Sequence, residues 1–232
     1  MIPLLLMRLT GFVRTGRALA PLLAGLLILG VLNGGGRSQA GEAYAVSSVV
    51  LFPVLAWQAK LLLDIEPDVQ RRLAVVSLGR RREAAAGLLA AVLVGLVTVL
   101  LALSVPWLLG GVRMPYRAAD APLGVQLAVG GWAHLITLPA AVALGALASR
   151  AATRSVTYGL AVLASGVVGA IVLSLPASPL AWLAPPLMSA ARLAAGPAGG
   201  PDAARVVLLS VQAVIWATAA LTGYAALRRH RP

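Results

Sequence analysis

Residues 84–105 have the sequence AAAGLLAAVLVGLVTVLLALSV, a run of 22 residues without a charged side chain. A helix of that length is about 33 Å long, which is enough to cross the roughly 30 Å hydrocarbon core of a bilayer. The whole chain has 232 residues, of which 60% are apolar and only 11% are charged. A soluble domain of this size cannot bury so much apolar surface. The sequence therefore predicts an all-α integral membrane protein.

Five further uncharged apolar runs flank this one, and together they predict six transmembrane helices in a single domain of residues 1–232. The fourth run is longer than a crossing needs, and Pro139 is expected to kink it. The predicted crossings are residues 18–36, 43–63, 84–105, 121–148, 155–175 and 206–227.

The distribution of basic residues predicts the orientation. With the N-terminus inside, 14 Lys and Arg residues fall in inner segments and 5 in outer ones. Positive charge favours the cytoplasmic side, so both termini are expected there, with Lys60 snorkelling from a helix end. Abundant Arg and Ala with a single Lys indicate a bacterial, multi-pass protein of the cytoplasmic membrane. An alternative is a signal peptide cleaved near Ser38-Gln39-Ala40, which leaves the remaining topology unchanged.

The composition excludes several classes of function. The net charge of +12 comes from arginines at the ends of apolar runs, so a nucleic-acid partner is not expected. The chain has no cysteine, which excludes disulfides, thiolate zinc sites and iron–sulfur clusters. It also has no Walker A motif, no Gly-x-Ser-x-Gly elbow and no His/Glu zinc motif. We therefore expect a non-catalytic subunit with no cofactor of its own.

The segment before the quoted run, residues 64–83, has the sequence DIEPDVQRRLAVVSLGRRRE. Asp64 is expected to cap a short helix, Pro67 to lie in its first turn and Gly79 to end it. At 100° per residue its apolar side chains share one face, with Arg71 opposite. Two interpretations remain open: a helix that docks into a partner's groove, or an ordinary loop that anchors the topology. The apolar side chains in question are Val69, Leu73 and Val76.

Two other segments have unusual composition. The N-terminal MIPLLLMRLTGFVRTGR is either an interfacial helix or an extension of the first crossing. Residues 176–201 hold six of the fifteen prolines and are too apolar for a free loop. They predict an outer re-entrant or interfacial helical hairpin with Trp182 at headgroup level; a proline-rich outer loop is the alternative.

Polar groups inside the predicted crossings are few. His134 is the one ionisable side chain there away from the helix ends, and no Asp or Glu lies within a crossing. This argues against a proton-coupled or sodium-coupled carrier. His134 and Gln58 are expected either to form hydrogen bonds between helices or to line a pathway. Trp132 could line a substrate surface or fill a packing gap.

This layout resembles the membrane (permease) subunit of ABC-2 type exporters whose ATPase is a separate polypeptide. The resemblance covers nearly the whole chain, and residues 64–83 are similar to the loop that forms that family's coupling helix. Residues 2–17 match its N-terminal interfacial helix and residues 177–200 its outer re-entrant helices. The resemblance implies that the ATPase contacts are made by Asp68, Val69, Arg71, Arg72, Leu73 and Val76.

The resemblance also implies the partners and the mechanism. A dimer of ATPase subunits would bind ATP and Mg²⁺ beneath a pair of permease subunits, identical or paralogous. The expected substrate is apolar or amphipathic: a lipid, a peptide or a natural product. The alternative is a membrane interaction or assembly subunit without a transport path of its own.

Overall fold

The computed structural model describes residues 1–117, 120–175, 178–196 and 202–229. About 81% of the chain is helical, which agrees with the predicted all-α class. Its helices are α1 (Ile2–Arg14), α2 (Leu19–Gly34), α3 (Ala40–Leu63), α4 (Asp68–Leu78), α5 (Arg80–Leu108), α6 (Leu123–Leu147), α7 (Arg150–Thr153), α8 (Val156–Leu173), α9 (Leu187–Ala194) and α10 (Ala203–Arg229). Two strands of two residues, β1 (Ser38–Gln39) and β2 (Val112–Arg113), pair in parallel.

Five helices of the described chain are long and apolar enough to cross a membrane: α3, α5, α6, α8 and α10. A sixth span results when α1 and α2, which are bent by 65° at a short break, are counted together. The break lies at Thr15–Ala18, where Gly16 has a positive φ of 68°. The N-terminal segment is therefore a helix of its own and not a straight extension of the first predicted crossing.

The helix α2 has only 16 residues, about 24 Å by its rise, yet it extends between the two ends of the bundle. Next to its start, Arg17 Nη1 donates to the carbonyl of Asp64 at 3.2 Å. Near its end, the carbonyl of Asn33 lies so close to Gly111 that a Cβ there would be 2.7 Å away. Asp64 and Gly111 lie at opposite ends of the bundle.

One end of the bundle collects the basic segments. Arg8 of α1 bonds to Glu83 of α5, Glu83 also bonds to Arg228 of α10, and Asp64 after α3 bonds to the backbone of Arg150 in α7. We call this the arginine-rich end, and the end that holds β1 and β2 the distal end. The segments predicted to face the cytoplasm thus lie together.

The helices α3 and α6 form the centre of the bundle, and glycines bring them into close contact. A Cβ at Gly130 would lie 2.3 Å from the Tyr44 ring, and one at Gly145 would lie 2.5 Å from the Ala56 carbonyl oxygen. Small residues let helix backbones approach in this way inside membranes. The helices α2, α5, α8 and α10 surround this pair, and their exposed apolar side chains point away from it.

The segment before α10 re-enters the bundle. A 3₁₀ turn at Ala181–Leu183 leads into α9, which packs against α3 and α6. The carbonyls of Leu183 and Ala184 accept from Trp216 Nε1 at 3.0 Å and Gln212 Nε2 at 3.1 Å. These donors lie about 20 Å and 14 Å along α10 from its start at Ala203. The described part, residues 178–196, is therefore a short helical segment packed against the bundle, and its re-entrant placement in a membrane stays a prediction; residues 176–177 and 197–201 lie outside the described residues.

Two predictions about the arginine-rich end are wrong. Asp64 does not cap α4, because the residue at the N-cap is Pro67 and the Asp64 carboxylate bonds to Lys60 and to the backbone N–H of Arg150. Lys60 does not snorkel to the surface. It is buried, and its Nζ lies 2.9 Å from Asp64 Oδ2. Both errors have one cause. Asp64 and Lys60 are buried side by side and form an ion pair, so Asp64 is not available to cap α4 and Lys60 does not extend to the surface.

Candidate partner-binding helix and its buried charge network

The helix α4 forms where the sequence predicts it. It begins at Asp68 directly after Pro67 and ends before Gly79, whose φ of 81° lies in the left-handed region. Glycine adopts this region without a Cβ clash, so α4 stops there and α5 starts at once in a new direction. The predicted boundary at Gly79 is confirmed.

Three apolar side chains of α4 point away from the rest of the protein. Val69, Leu73 and Val76 are 69%, 64% and 86% exposed. The half-buried residues lie on the opposite side of the helix and are Arg71, Ala74, Val75 and Leu78. No residue of α4 is buried. Nothing in the described residues therefore covers the Val69, Leu73 and Val76 face, which we call the α4 apolar face.

The charged residues of α4 divide between its two sides. Arg71 lies on the half-buried side, where its Nη2 is 3.2 Å from Asp68 Oδ1. Arg72 is exposed and lies about 60° from the centre of the α4 apolar face by helical geometry. Of the two predicted contact arginines, the structure places only Arg72 beside the apolar side chains.

A buried charge network lies directly beneath α4. Arg8 of α1 has a side chain that is only 4% exposed. Its Nε and Nη2 atoms donate to the two carboxylate oxygens of Glu66 at 2.9 and 2.6 Å. Its Nη2 also donates to Glu83 Oε1 at 2.6 Å, and its Nη1 to the Glu83 carbonyl at 3.0 Å. Glu66 precedes α4 and Glu83 follows it, so one arginine of α1 fastens both flanks of α4.

The network continues into α10. Glu83 pairs with Arg228, whose Nη1 lies 3.2 Å from the hydroxyl oxygen of Tyr224. Removing one partner from a buried charge pair leaves the other charge unpaired, at a cost of about 3–5 kcal/mol. These buried pairs therefore connect the flanks of α4 to α1 and α10.

A second cluster holds the linker that joins α3 to α4. The Asp64 carboxylate accepts from Lys60 Nζ at 2.9 Å and from the Arg150 backbone N–H at 2.7 Å. Arg150 Nη2 donates to the carbonyls of Asp64 and Glu66 at 2.8 and 3.1 Å. The linker is thereby fixed to α7, so α4 extends from a rigid base.

Sequence reasoning missed this network, although one signal was present. Arg8 interrupts the apolar run of residues 2–12, and a helix with such a residue on its buried side needs an acidic partner. Which acid pairs with Arg8 depends on how α1 crosses α5, and local sequence does not contain that information.

The residues predicted either to line a pathway or to form hydrogen bonds between helices do form such bonds, and a pathway role stays a prediction. His134 is fully buried, with Nδ1 2.8 Å from the Gly130 carbonyl and Nε2 3.0 Å from Ser47 Oγ. A carbonyl only accepts, so Nδ1 carries the proton, and Nε2 shares a hydrogen bond with the Ser47 hydroxyl, which also lies 3.2 Å from the Tyr44 carbonyl. Thr98 Oγ1 donates to Gln58 Oε1 at 2.9 Å, and Trp132 Nε1 donates to Ser210 Oγ at 2.9 Å. These bonds join α3 to α6, α3 to α5 and α6 to α10.

Fold and site together define a class: an all-α bundle with five or six apolar helices of membrane-spanning character and an amphipathic helix held outside it. No protein-family model, no curated protein and no solved structure matches this chain.

Proposed function

We propose that the chain is the permease subunit of an ATP-driven exporter of the ABC-2 type, with ATP hydrolysis in a separate partner. The α4 apolar face carries the proposal, since it is exposed at the arginine-rich end and lies outside the apolar bundle. In this proposal the chain crosses the cytoplasmic membrane of a bacterium six times, with both termini and α4 in the cytoplasm. The excess of Lys and Arg at that end supports this orientation.

The docking mode is a helix in a groove. Three apolar side chains at a spacing of three to four residues form the seam that such a groove accepts. Arg72 lies beside them, and in this proposal it contacts acidic residues at the rim of the ATPase groove. In this proposal two ATPase subunits close on ATP and Mg²⁺ and push α4. The push reaches α1, α5 and α10 through Glu66, Glu83 and Arg8, which the hydrogen bonds support.

Transport in this proposal takes place between two permease subunits, identical or paralogous. The interior of one subunit gives little support for a polar path within it. The described chain has no buried side-chain nitrogen or oxygen without a hydrogen-bond partner. An apolar or amphipathic substrate moving along the faces of the helices is compatible with that interior.

The experiment is co-purification from membranes after co-expression with the product of an adjacent reading frame that carries a Walker A motif; absence of any such frame would count against the proposal. Leu73→Glu places a charge on the α4 apolar face, and a desolvated contact of this kind costs at least about 1.4 kcal/mol, or tenfold in retention. Gln70→Glu is the matched control, because it adds the same charge at an exposed position of the same helix outside that face.

We expect the wild type and Gln70→Glu to retain the ATPase and Leu73→Glu to lose it. Equal retention of the ATPase by both variants would refute the docking role. It would also be refuted if the wild type bound no ATPase and α4 bound to lipid vesicles. Retention of an ATPase whose hydrolysis responds to no apolar or amphipathic compound would instead favour an assembly subunit without its own path.

A further inference from the structure

Two cavities flank α9 at the distal end, and Arg192 lines both. A polar pocket of about 260 Å³ lies between α6, α9 and the start of α10, and Gln126, Ser189 and Arg205 also line it. An apolar cleft of about 440 Å³ lies between α3 and α9, lined by residues that include Val46, Val49 and Met188. We infer that the two cavities together bind one anionic phospholipid, with its phosphate in the pocket and an acyl chain in the cleft.

The pocket has the donors that a phosphate requires. Arg192 Nε donates to the Met188 carbonyl at 3.0 Å, and one N–H of Nη2 donates to the Ser174 carbonyl at 3.5 Å. Its remaining N–H groups, the Ser189 hydroxyl and the guanidinium of Arg205 have no acceptor in the described part of the chain. No acidic side chain is among the residues that line either cavity. Two cations that form no salt bridge within the described residues favour an anionic ligand.

The shape of the pocket is fixed by Gln126, which is fully bonded. Its Nε2 donates to the Ala121 carbonyl at 2.7 Å and to Gln39 Oε1 at 3.2 Å, and its Oε1 accepts from the Gly41 backbone N–H at 3.0 Å. These bonds tie α6 to the start of α3 at the wall of the pocket. The α6 wall of the pocket is therefore held to the start of α3, and the Gln126 side chain is engaged within the protein.

The cleft supplies the apolar part. Apart from Arg192, its lining consists of alanine, valine, leucine and methionine side chains, the type of surface against which an acyl chain packs. Arg192 joins the two cavities, as expected where a headgroup meets its chain. A phosphate ion alone would leave the cleft empty, and an uncharged lipid would leave both arginines without an anion.

The experiment is native mass spectrometry of the purified full chain in detergent, titrated with dioleoyl phosphatidylglycerol or dioleoyl phosphatidylcholine. We expect phosphatidylglycerol to bind at least about fivefold more strongly. A surface arginine contributes about this factor toward an anionic headgroup, so Arg205→Gln should reduce phosphatidylglycerol binding about fivefold and Arg205→Lys should restore most of it. Arg37→Gln, at an exposed basic position of the same end, should leave binding unchanged.

A second pair of variants tests the acyl chain. Val46→Trp fills the cleft from a residue that is 48% exposed and should weaken phosphatidylglycerol binding, whereas Leu100→Trp, on the outward side of α5, should not. Glycerol 1-phosphate, a headgroup without chains, should not compete at millimolar concentration. The proposal is overturned by equal binding of the two lipids, by equal losses in Arg205→Gln and Arg37→Gln, or by no effect of Val46→Trp. It does not depend on the proposed function, and Arg205→Gln should retain the ATPase.

Discussion

Arg8 has the largest structural role of any single side chain at the arginine-rich end. It contacts residues 58 and 75 positions away along the chain, in the linker before α4 and in α5. Buried charges of this kind persist only with close partners, because each would otherwise be desolvated without compensation. Arg8 thereby adds a buried polar attachment to an N-terminal helix that also packs through Phe12 in the apolar core.

Replacement of Arg8 by Gln should destabilise the protein strongly. Glu83 would keep Arg228, but Glu66 would lose the one salt bridge that it makes in the described part of the chain, and loss of one buried partner costs about 3–5 kcal/mol. For a chain of this size that corresponds to a fall in Tm on the order of 10 °C. Circular dichroism during heating in detergent measures it. Arg14→Gln, at an exposed site two turns further along α1, should change stability by less than about 0.5 kcal/mol. Equal Tm values for the two variants would contradict the role of the network.

The hydrogen bonds of Asp120 predict that the stability of the turn at residues 116–120, at the distal end, depends on pH. Hydrogen bonds from the backbone N–H groups of Tyr116 and Arg117, together with the Arg113 guanidinium, hold the pKa of Asp120 below its ordinary value. A carboxyl whose pKa is lower in the folded state stabilises that state above its unfolded pKa of about 3.9, and this contribution is lost as the pH falls through the folded pKa.

We therefore expect the Tyr116 and Arg117 amides to be protected from hydrogen exchange at pH 5 to 7 and to lose protection below about pH 4. Asp120→Asn should show weak protection at every pH. Protection that does not change across this range in the wild type would show that the carboxylate does not hold the turn.

At the scale of elements, α9 depends on a close approach to the start of α3. A Cβ at Gly41 would lie 2.5 Å from the Ala194 carbonyl oxygen, which is a backbone atom that cannot rotate away. Gly41 is therefore the contact that allows the end of α9 to seat against α3. Bonds from Ser174 Oγ to the Pro185 carbonyl and from Gln212 to the Ala184 carbonyl hold the other end.

Gly41→Ala should displace α9 and cost about 1–3 kcal/mol, as overpacking does in a tight interior. Gly124→Ala is the control, because a Cβ at Gly124, near the start of α6, meets nothing within 4 Å. Thermal unfolding should separate the two variants, and hydrogen exchange should rise in residues 187–194 of Gly41→Ala alone. Identical behaviour of both variants would show that α9 does not need this contact.

At the scale of the whole molecule, the structure brings the N-terminal helix, both predicted inner loops and the end of α10 to one end of the bundle. Which side of the membrane that end faces is a prediction from charge asymmetry. The chain has no cysteine, so single cysteines can test it without a background.

Val76→Cys on α4 and Tyr116→Cys at the distal end place thiols at sites that are 86% and 68% exposed. With the arginine-rich end in the cytoplasm, a membrane-impermeant maleimide should label Tyr116→Cys in intact cells. It should label Val76→Cys only after permeabilisation. The reverse pattern would place α4 outside the cell and would remove the basis of the proposed ATPase contact.

The local sequence predicted the elements well, because their causes are local. Uncharged runs of membrane-spanning length became α3, α5, α6, α8 and α10, with bounds near those predicted. Apolar spacing and Gly79 predicted α4 and its end. The proline-broken composition of residues 176–201 predicted a short helical segment instead of a free loop, and the described part contains one in α9. Length, periodicity and turn chemistry act within a few residues, so one sequence is sufficient for them.

Only the tertiary structure decided which polar groups meet. It paired Arg8 with Glu66 and Glu83, Lys60 with Asp64, and Trp216 with a carbonyl of the re-entrant segment. It also turned Arg71 toward the protein and left Arg72 exposed. These outcomes depend on the angles and depths at which separate helices cross. Buried polar groups take whichever partner the packing brings within about 3 Å.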